Sequence, residues 1–124
     1  MPHLTADDAR TFELHGVRFH SFAASHSGTR RLAAWRADFP PHTTGTPHSM
    51  TEEEVLHVLD GRLDVELDDE RFTAATGEAI LVPAGTTLCV SNSSPEPARA
   101  WVTTTLGMNA VMGDGQRVAP PWAQ

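Results

Sequence analysis

The sequence has little of several features that would indicate other classes of protein. Cys89 is its only cysteine, so no internal disulfide can form, which is typical of a reducing compartment. Nine basic residues against sixteen acidic ones give a net charge of −7, which argues against nucleic-acid binding. No stretch approaches the roughly 20 apolar residues of a membrane span, and the first residues lack the basic and apolar segments of a signal peptide. We therefore expect a cytoplasmic protein with neither nucleic-acid nor membrane partners.

The chain consists of short apolar or alternating runs separated by turn residues. Its 124 residues predict a single domain, 1–124. Leu63, Val65 and Leu67 alternate with acidic residues, the pattern of a strand with one buried face. Strands are predicted at Gly16–Ala24, Arg31–Phe39, Val55–Asp60, Leu63–Leu67, Phe72–Ala75, Ala79–Val82, Thr87–Ser91 and Ala98–Leu106. Short strands without intervening helices predict an all-β barrel or sandwich.

The C-terminal segment, residues 107–124, is too irregular for a predicted strand. It nevertheless carries Val111, Met112, Val118 and Trp122, more apolar surface than a disordered tail usually has. We expect this segment to pack along the barrel or onto a neighbouring subunit.

Two segments resemble the paired sequence motifs of the cupin superfamily. Residues 42–61 read HTTGTPHSMTEEEVLHVLDG, and residues 77–92 read GEAILVPAGTTLCVSN. The motifs have the forms G-x5-H-x-H-x3,4-E-x6-G and G-x5-P-x-G-x2-H-x3-N. The positions that match at the expected spacings are His48, Glu54, Gly61, Gly77, Pro83, Gly85 and Asn92. The resemblance covers residues 31–106 and implies a double-stranded β-helix, the jelly-roll barrel, of six to eight strands, commonly paired as a homodimer.

The departures from the motifs fall on the metal site. A typical cupin holds a divalent metal through three histidines and one glutamate, and the resemblance assigns those positions to His48, Met50, Glu54 and Leu88. Leucine cannot ligate a metal, and a thioether suits soft Cu(I) better than Fe, Mn or Zn. Two ligands are left, so the cofactor expectation is no metal or a weakly bound divalent metal.

A third ligand would have to come from elsewhere in the chain. Strand alternation turns His57 and Cys89 away from the barrel interior if Glu54 and its neighbours point inward. His42 and Glu52 lie on the loop around the first motif and are the candidates that alternation leaves open. A site of His42, His48 and Glu54 would match the three protein ligands of many catalytic zinc sites.

The same positions predict a pocket. The more apolar parity of Arg31–Phe39 places Trp35 inside, and the parity of Leu88 adds Val90 and Asn92. The expected lining residues are Trp35, His48, Met50, Glu54, Leu88, Val90 and Asn92. Without a metal, a buried Glu54 would need a partner, and His48 is the simplest one, as an acid–base couple or as a polar anchor.

Three functions fit this pocket. The first is binding of a small, partly hydrophobic metabolite in a barrel whose metal site is degenerate. The second is a metal-dependent enzyme of the dioxygenase, isomerase or lyase type, with His48 and Glu54 as catalytic residues and His42 as third ligand. The third is an effector-sensing accessory protein.

Overall fold

The computed structural model describes residues 2–124 and contains twelve strands within that range. The strands are β1 (Arg10–Leu14), β2 (Val17–Ala23), β3 (Leu32–Phe39), β4 (His48–Met50), β5 (Glu54–Asp60), β6 (Arg62–Leu67), β7 (Glu70–Ala75), β8 (Ala79–Val82), β9 (Leu88–Ser91), β10 (Ala98–Thr105), β11 (Ala110–Met112) and β12 (Arg117–Val118). Three 3₁₀ turns lie at Ala6–Asp8, Ser25–Ser27 and Pro121–Ala123. Within the same residues, no helix has the length and apolar character needed to cross a bilayer.

The strands form two antiparallel six-stranded sheets. The first sheet has the order β1-β2-β3-β10-β5-β8, and the second has the order β12-β11-β4-β9-β6-β7. Consecutive strands pair within each sheet, as β1 does with β2, and other pairs join distant parts of the chain, as β10 does with both β3 and β5. The two sheets close over a shared core, which confirms the all-β jelly-roll fold predicted from the sequence.

Side-chain alternation decides which residues enter the core. On β6, Leu63 and Val65 are 0% and 1% exposed, whereas the intervening Asp64 is only half-buried. On β5, Glu54, Leu56 and Val58 are all buried and the residues between them are exposed. Because successive residues of a strand point to opposite faces, each strand contributes every second side chain to the space between the sheets.

Packed side chains fill one end of the barrel, and a cavity lies at the other end. Val58, Leu63 and Ile80 belong to the buried core but not to the cavity wall. Two and four residues before Val58 on β5, Leu56 and Glu54 face an open cavity instead. The cavity therefore lies toward the end of the barrel at which β5 begins.

The strand count of six to eight was too low. The first strand is β1, which lies before the predicted Gly16–Ala24, and the alternation in its sequence RTFEL is short, with only Phe12 and Leu14 apolar. The expectation that residues 107–124 contain no strand was also wrong, since β11 pairs with β4 and β12 pairs with β11. These strands have two to five residues, and their pairing with neighbours, not a sequence period, holds them in the sheets.

Candidate functional site

The candidate site is a cavity of about 320 Å³ between the two sheets. The first sheet contributes Leu14, Val17, Phe19, Trp35, Ala37, Phe39, Glu54, Leu56 and Val102. The second sheet contributes His48, Met50, Leu88, Val90, Ala110, Met112 and Val118. The remaining wall is formed by His15, Thr44, Gly45, Thr46, Met108, Pro120 and Trp122. Apolar side chains dominate this wall, as in most pockets that bind small molecules.

Six of the seven residues predicted to line the pocket do so. They are Trp35, His48, Met50, Glu54, Leu88 and Val90. The structure brings them together from four strands, because β4 pairs with β9 through His48 and Leu88 while β3 and β5 both flank β10. Met50 and Leu88 are 1% and 2% exposed, so two of the positions that carry metal ligands in the motif are filled by buried apolar groups.

Glu54 is the buried carboxyl group of the cavity. The residue is 6% exposed, and burial raises the pKa of its side chain to about 8. Within residues 2–124, no hydrogen bond or ion pair reaches its carboxyl oxygens at the distances that define such contacts. At neutral pH the group is therefore mostly the uncharged acid, which can donate one O–H bond to a molecule in the cavity.

His48 presents the second polar group. Its Nδ1 lies 2.9 Å from the carbonyl oxygen of Thr46, and a carbonyl only accepts, so Nδ1 carries the proton that is donated. In the neutral ring this leaves Nε2 as a hydrogen-bond acceptor. The direct pair between His48 and Glu54 that we expected from the sequence is not formed. No hydrogen bond or ion pair joins these two side chains. The imidazole of His48 lies on the second sheet and the carboxyl group of Glu54 lies on the first sheet. A ligand bound between the sheets can therefore contact both groups.

Asn92 corrects the pocket prediction. It is fully buried but is absent from the cavity wall. Its Nδ2 lies 2.8–3.2 Å from the carbonyl oxygens of Phe39, Pro40 and Glu96, and its Oδ1 accepts from the backbone N–H and hydroxyl of Ser94. This side chain ties the turn before β10 to the end of β3, so its place in the motif is structural.

The loop before β4 closes one side of the cavity. The backbone N–H of Gly45 donates to Ser91 Oγ at 2.9 Å, and a Cβ added at Gly45 would overlap the carbonyl group of Val90. Glycine therefore lets this loop lie directly on β9. The sequence HTTGTP marks a loop, but not its contact with β9.

The C-terminal segment supplies the part of the wall that sequence reasoning missed. Trp122 is 8% exposed and stacks on Phe19 with ring centroids 3.7 Å apart and planes 2° from parallel. Its carbonyl accepts from Ser21 Oγ at 2.9 Å, and Gln124 Nε2 donates to the Met108 carbonyl at 2.8 Å. The segment folds back on its own barrel and becomes a wall. The apolar content of residues 107–124 was the sequence signal that could have indicated this role.

Sequence reasoning also did not predict that the turn between β1 and β2 contributes to the cavity. Leu14 at the end of β1 and His15 in this turn reach the rim of the cavity, and both are exposed. Nothing in the local sequence places this turn beside the motif residues, because the contact depends on how β1 and β2 pack against β3.

A comparison with protein-family models identifies the family. The model described as "Cupin domain" matches residues 35–104, more than half of the chain. This protein is a cupin. The match contains both motif segments and leaves out residues 1–34 and 105–124. It confirms the resemblance predicted from the sequence.

Solved structures show the same fold at low sequence identity. The polyketide cyclase RemF from Streptomyces resistomycificus is 19% identical, with a TM-score of 0.76, over 98% of this cupin and 82% of that chain. KdgF from a Halomonas species is 21% identical, with a TM-score of 0.70, over 82% of this cupin and 92% of that chain. A sugar phosphate isomerase from Silicibacter pomeroyi is 16% identical, with a TM-score of 0.72, over 96% and 93% of the two chains. No curated protein sequence is significantly similar to this cupin.

The metal site implied by the cupin motifs does not fit the residues present. Among residues 2–124, no three His, Cys, Asp or Glu side chains lie close enough together to hold a metal ion. His42, the candidate third ligand, is exposed and does not line the cavity, so the set of His42, His48 and Glu54 is not assembled. Its φ of +57° is the left-handed conformation, at the position where the motif has glycine. The alternative ligand Glu52 is exposed as well.

Proposed function

We propose that this cupin binds a small, partly hydrophobic molecule in its barrel cavity, without help from a divalent metal. Glu54 and His48 hold the polar end of that molecule, and the apolar walls hold its body. The observation that carries the proposal is a cavity of about 320 Å³ whose apolar wall contains a buried carboxyl group without a protein partner. This volume lies at the lower end of the roughly 300–1,000 Å³ of small-molecule pockets.

Binding of a neutral fluorescent probe tests the proposal. N-phenyl-1-naphthylamine is dark in water and bright in apolar sites, so saturable fluorescence would report occupancy. Val90→Trp fills the cavity and should weaken probe binding at least tenfold. Val55→Trp makes the same change at an exposed position outside the cavity and should leave binding unchanged. Absence of saturable binding, or equal binding by the two variants, would overturn the proposal.

The metal content of untagged protein tests the second half of the proposal. We expect far less than one equivalent of Fe, Mn, Zn, Ni or Cu per chain, and a melting temperature that a chelator does not change, since no third donor adjoins His48 and Glu54. A stoichiometric metal that is lost in His48→Ala would instead support the metal-dependent enzyme.

A second candidate function is cofactor-free proton transfer. The favouring observation is an acid and a base facing one apolar cavity, since burial raises the pKa of Glu54 to about 8 while Nε2 of His48 can accept a proton. His48 would take an α-proton from a ketone while Glu54 protonates its oxygen, giving the enol, and the reverse step would restore the ketone. Exchange of the α-protons of 2-tetralone in D₂O, followed by NMR, should accelerate with wild type and not with Glu54→Gln. Equal rates would exclude this function for that ketone class.

We also propose a homodimer. Three exposed apolar side chains support it, because Leu32 and Leu81 are each 59% exposed and Val55 is 41% exposed on the outer face of the first sheet. Val55 and Leu81 are direct cross-strand partners. Light scattering should give twice the mass of one chain, and Leu81→Asp should give one chain's mass. A monomeric wild-type protein would remove this proposal.

A further inference from the structure

The charges of the cavity wall restrict what the cavity can hold. The sequence contains no lysine, and none of its nine arginines lines the cavity. The titratable groups of the wall are His15 at the exposed rim and His48 and Glu54 inside. An anion that entered would lose its water, find no permanent positive charge, and lie near a carboxyl group. Burial of an unpaired charge is strongly unfavourable, so carboxylates and phosphates are poor ligands.

A cation would also be poorly accommodated. An ammonium group would have to ionise Glu54 in a site where burial favours its neutral form, and then form an ion pair largely removed from water. The desolvation of two charges commonly offsets the attraction between them.

Two of the interior polar groups, Glu54 and His48, complement one kind of neutral group, and the buried indole N–H of Trp35 is a further donor without a protein partner among residues 2–124. A protonated carboxyl donates one hydrogen bond, and Nε2 of the neutral His48 ring accepts one. A single hydroxyl can accept from Glu54 and donate to His48, and a secondary amide can do the same through its C=O and N–H. Such a ligand satisfies both groups, whereas a hydrocarbon would leave them unpaired at a cost of about 1–3 kcal/mol each.

The body of the ligand meets flat and polarisable surfaces. Trp35 and Phe39 face the cavity from β3, and Met50, Met108 and Met112 face it from other elements. Methionine sulfur makes favourable contacts with aromatic rings, and aromatic side chains prefer stacked or edge-on partners. The wall therefore suits an aromatic or otherwise flat hydrocarbon body.

We infer that this cavity selects neutral, largely apolar and aromatic molecules that carry one hydroxyl or amide end, and discriminates against carboxylates, phosphates and ammonium compounds. The inference rests on the proposed function, because it specifies the ligand class of the same cavity. Glu54 and His48 contact the polar end, and the methionine and aromatic side chains contact the body.

Three naphthalene probes test the inference by isothermal titration calorimetry at pH 7. They share one ring system and differ in their polar end: 2-naphthol is neutral, naphthalene-2-carboxylate is an anion, and 2-naphthylmethylamine is a cation. We expect wild type to bind 2-naphthol at least tenfold more tightly than either charged probe. Glu54→Leu should weaken 2-naphthol about tenfold, the value of one buried hydrogen bond of roughly 1.4 kcal/mol. Glu53→Gln, an exposed neighbour, is the matched control and should not change binding.

The outcomes separate the inference from the proposed function. If none of the three probes binds although N-phenyl-1-naphthylamine does, only the inferred ligand class fails; if none of the four binds, both proposals fail. If the carboxylate or the amine binds as tightly as 2-naphthol, the ligand class is wrong, although the cavity still binds small molecules. Thermal unfolding would verify that Glu54→Leu is folded, and if it is not, the comparison of the three probes on wild type still decides the matter.

Discussion

Replacement of Glu54 by glutamine should abolish a pH dependence of stability that the buried carboxyl group imposes. Burial raises the pKa of Glu54 from 4.5 to about 8 in the folded protein, while the unfolded chain keeps the ordinary value. Between these two values the unfolded state has lost its proton and the folded state has kept it. The stability contributed by this group is therefore complete below about pH 4.5 and is lost as the pH rises toward 8.

The size of the effect follows from the same shift. Each pH unit inside this window costs about 1.4 kcal/mol of unfolding free energy. At pH 7 the wild-type protein should have lost about 3 kcal/mol relative to its value near pH 4. Asp38 and Asp64, whose carboxyl pKa values are lowered, act in the opposite direction at acidic pH. Their contribution is the same in the variant, so it cancels in the difference between the two proteins.

Urea unfolding followed by tryptophan fluorescence measures this difference. The stability of Glu54→Gln minus that of wild type should grow by about 3 kcal/mol between pH 5 and pH 7.5. Glu53→Gln removes an exposed carboxylate from the residue next to Glu54 and should show no such trend. A difference for Glu54→Gln that stays constant over this range would refute the reasoning, because it would mean that Glu54 titrates like a solvated carboxyl group.

Three further predictions concern the cavity and its surroundings. The double variant Met50→His/Leu88→His places imidazoles at both altered motif positions and should bind Zn or Mn stoichiometrically, as measured by elemental analysis. Unchanged metal content would mean that these side chains do not converge with His48. His42→Gly relieves a left-handed residue and should raise the unfolding free energy by up to about 1 kcal/mol in urea titrations; a lower stability would show that the His42 side chain contributes contacts of its own. Trp122→Ala removes a buried ring stacked on Phe19 and should cost about 3–5 kcal/mol in the same assay; a loss below about 1 kcal/mol would contradict its role in the wall.

Part of the site could be predicted because strand alternation is a local rule. Trp35, Met50 and Leu88 were placed inside from the parity of their strands and from the motif spacing, and all three are buried in the cavity wall. The same rule could not predict the role of Asn92. An inward-pointing amide side chain can either face the cavity or form hydrogen bonds with backbone groups, and alternation does not distinguish the two. Two of the three carbonyl groups that hold Asn92 belong to the end of β3 and the following turn, far from it in sequence.

The sequence by itself determined the fold family and the loss of two metal ligands, since motif spacing, alternation and the identities at positions 50 and 88 are written directly in the chain. Tertiary structure alone decided that His48 and Glu54 stand apart on opposite sheets and that residues 107–124 form a wall of the cavity. The physical reason is that a strand period specifies which way a side chain points, whereas the neighbours that it meets depend on pairings between segments distant in sequence.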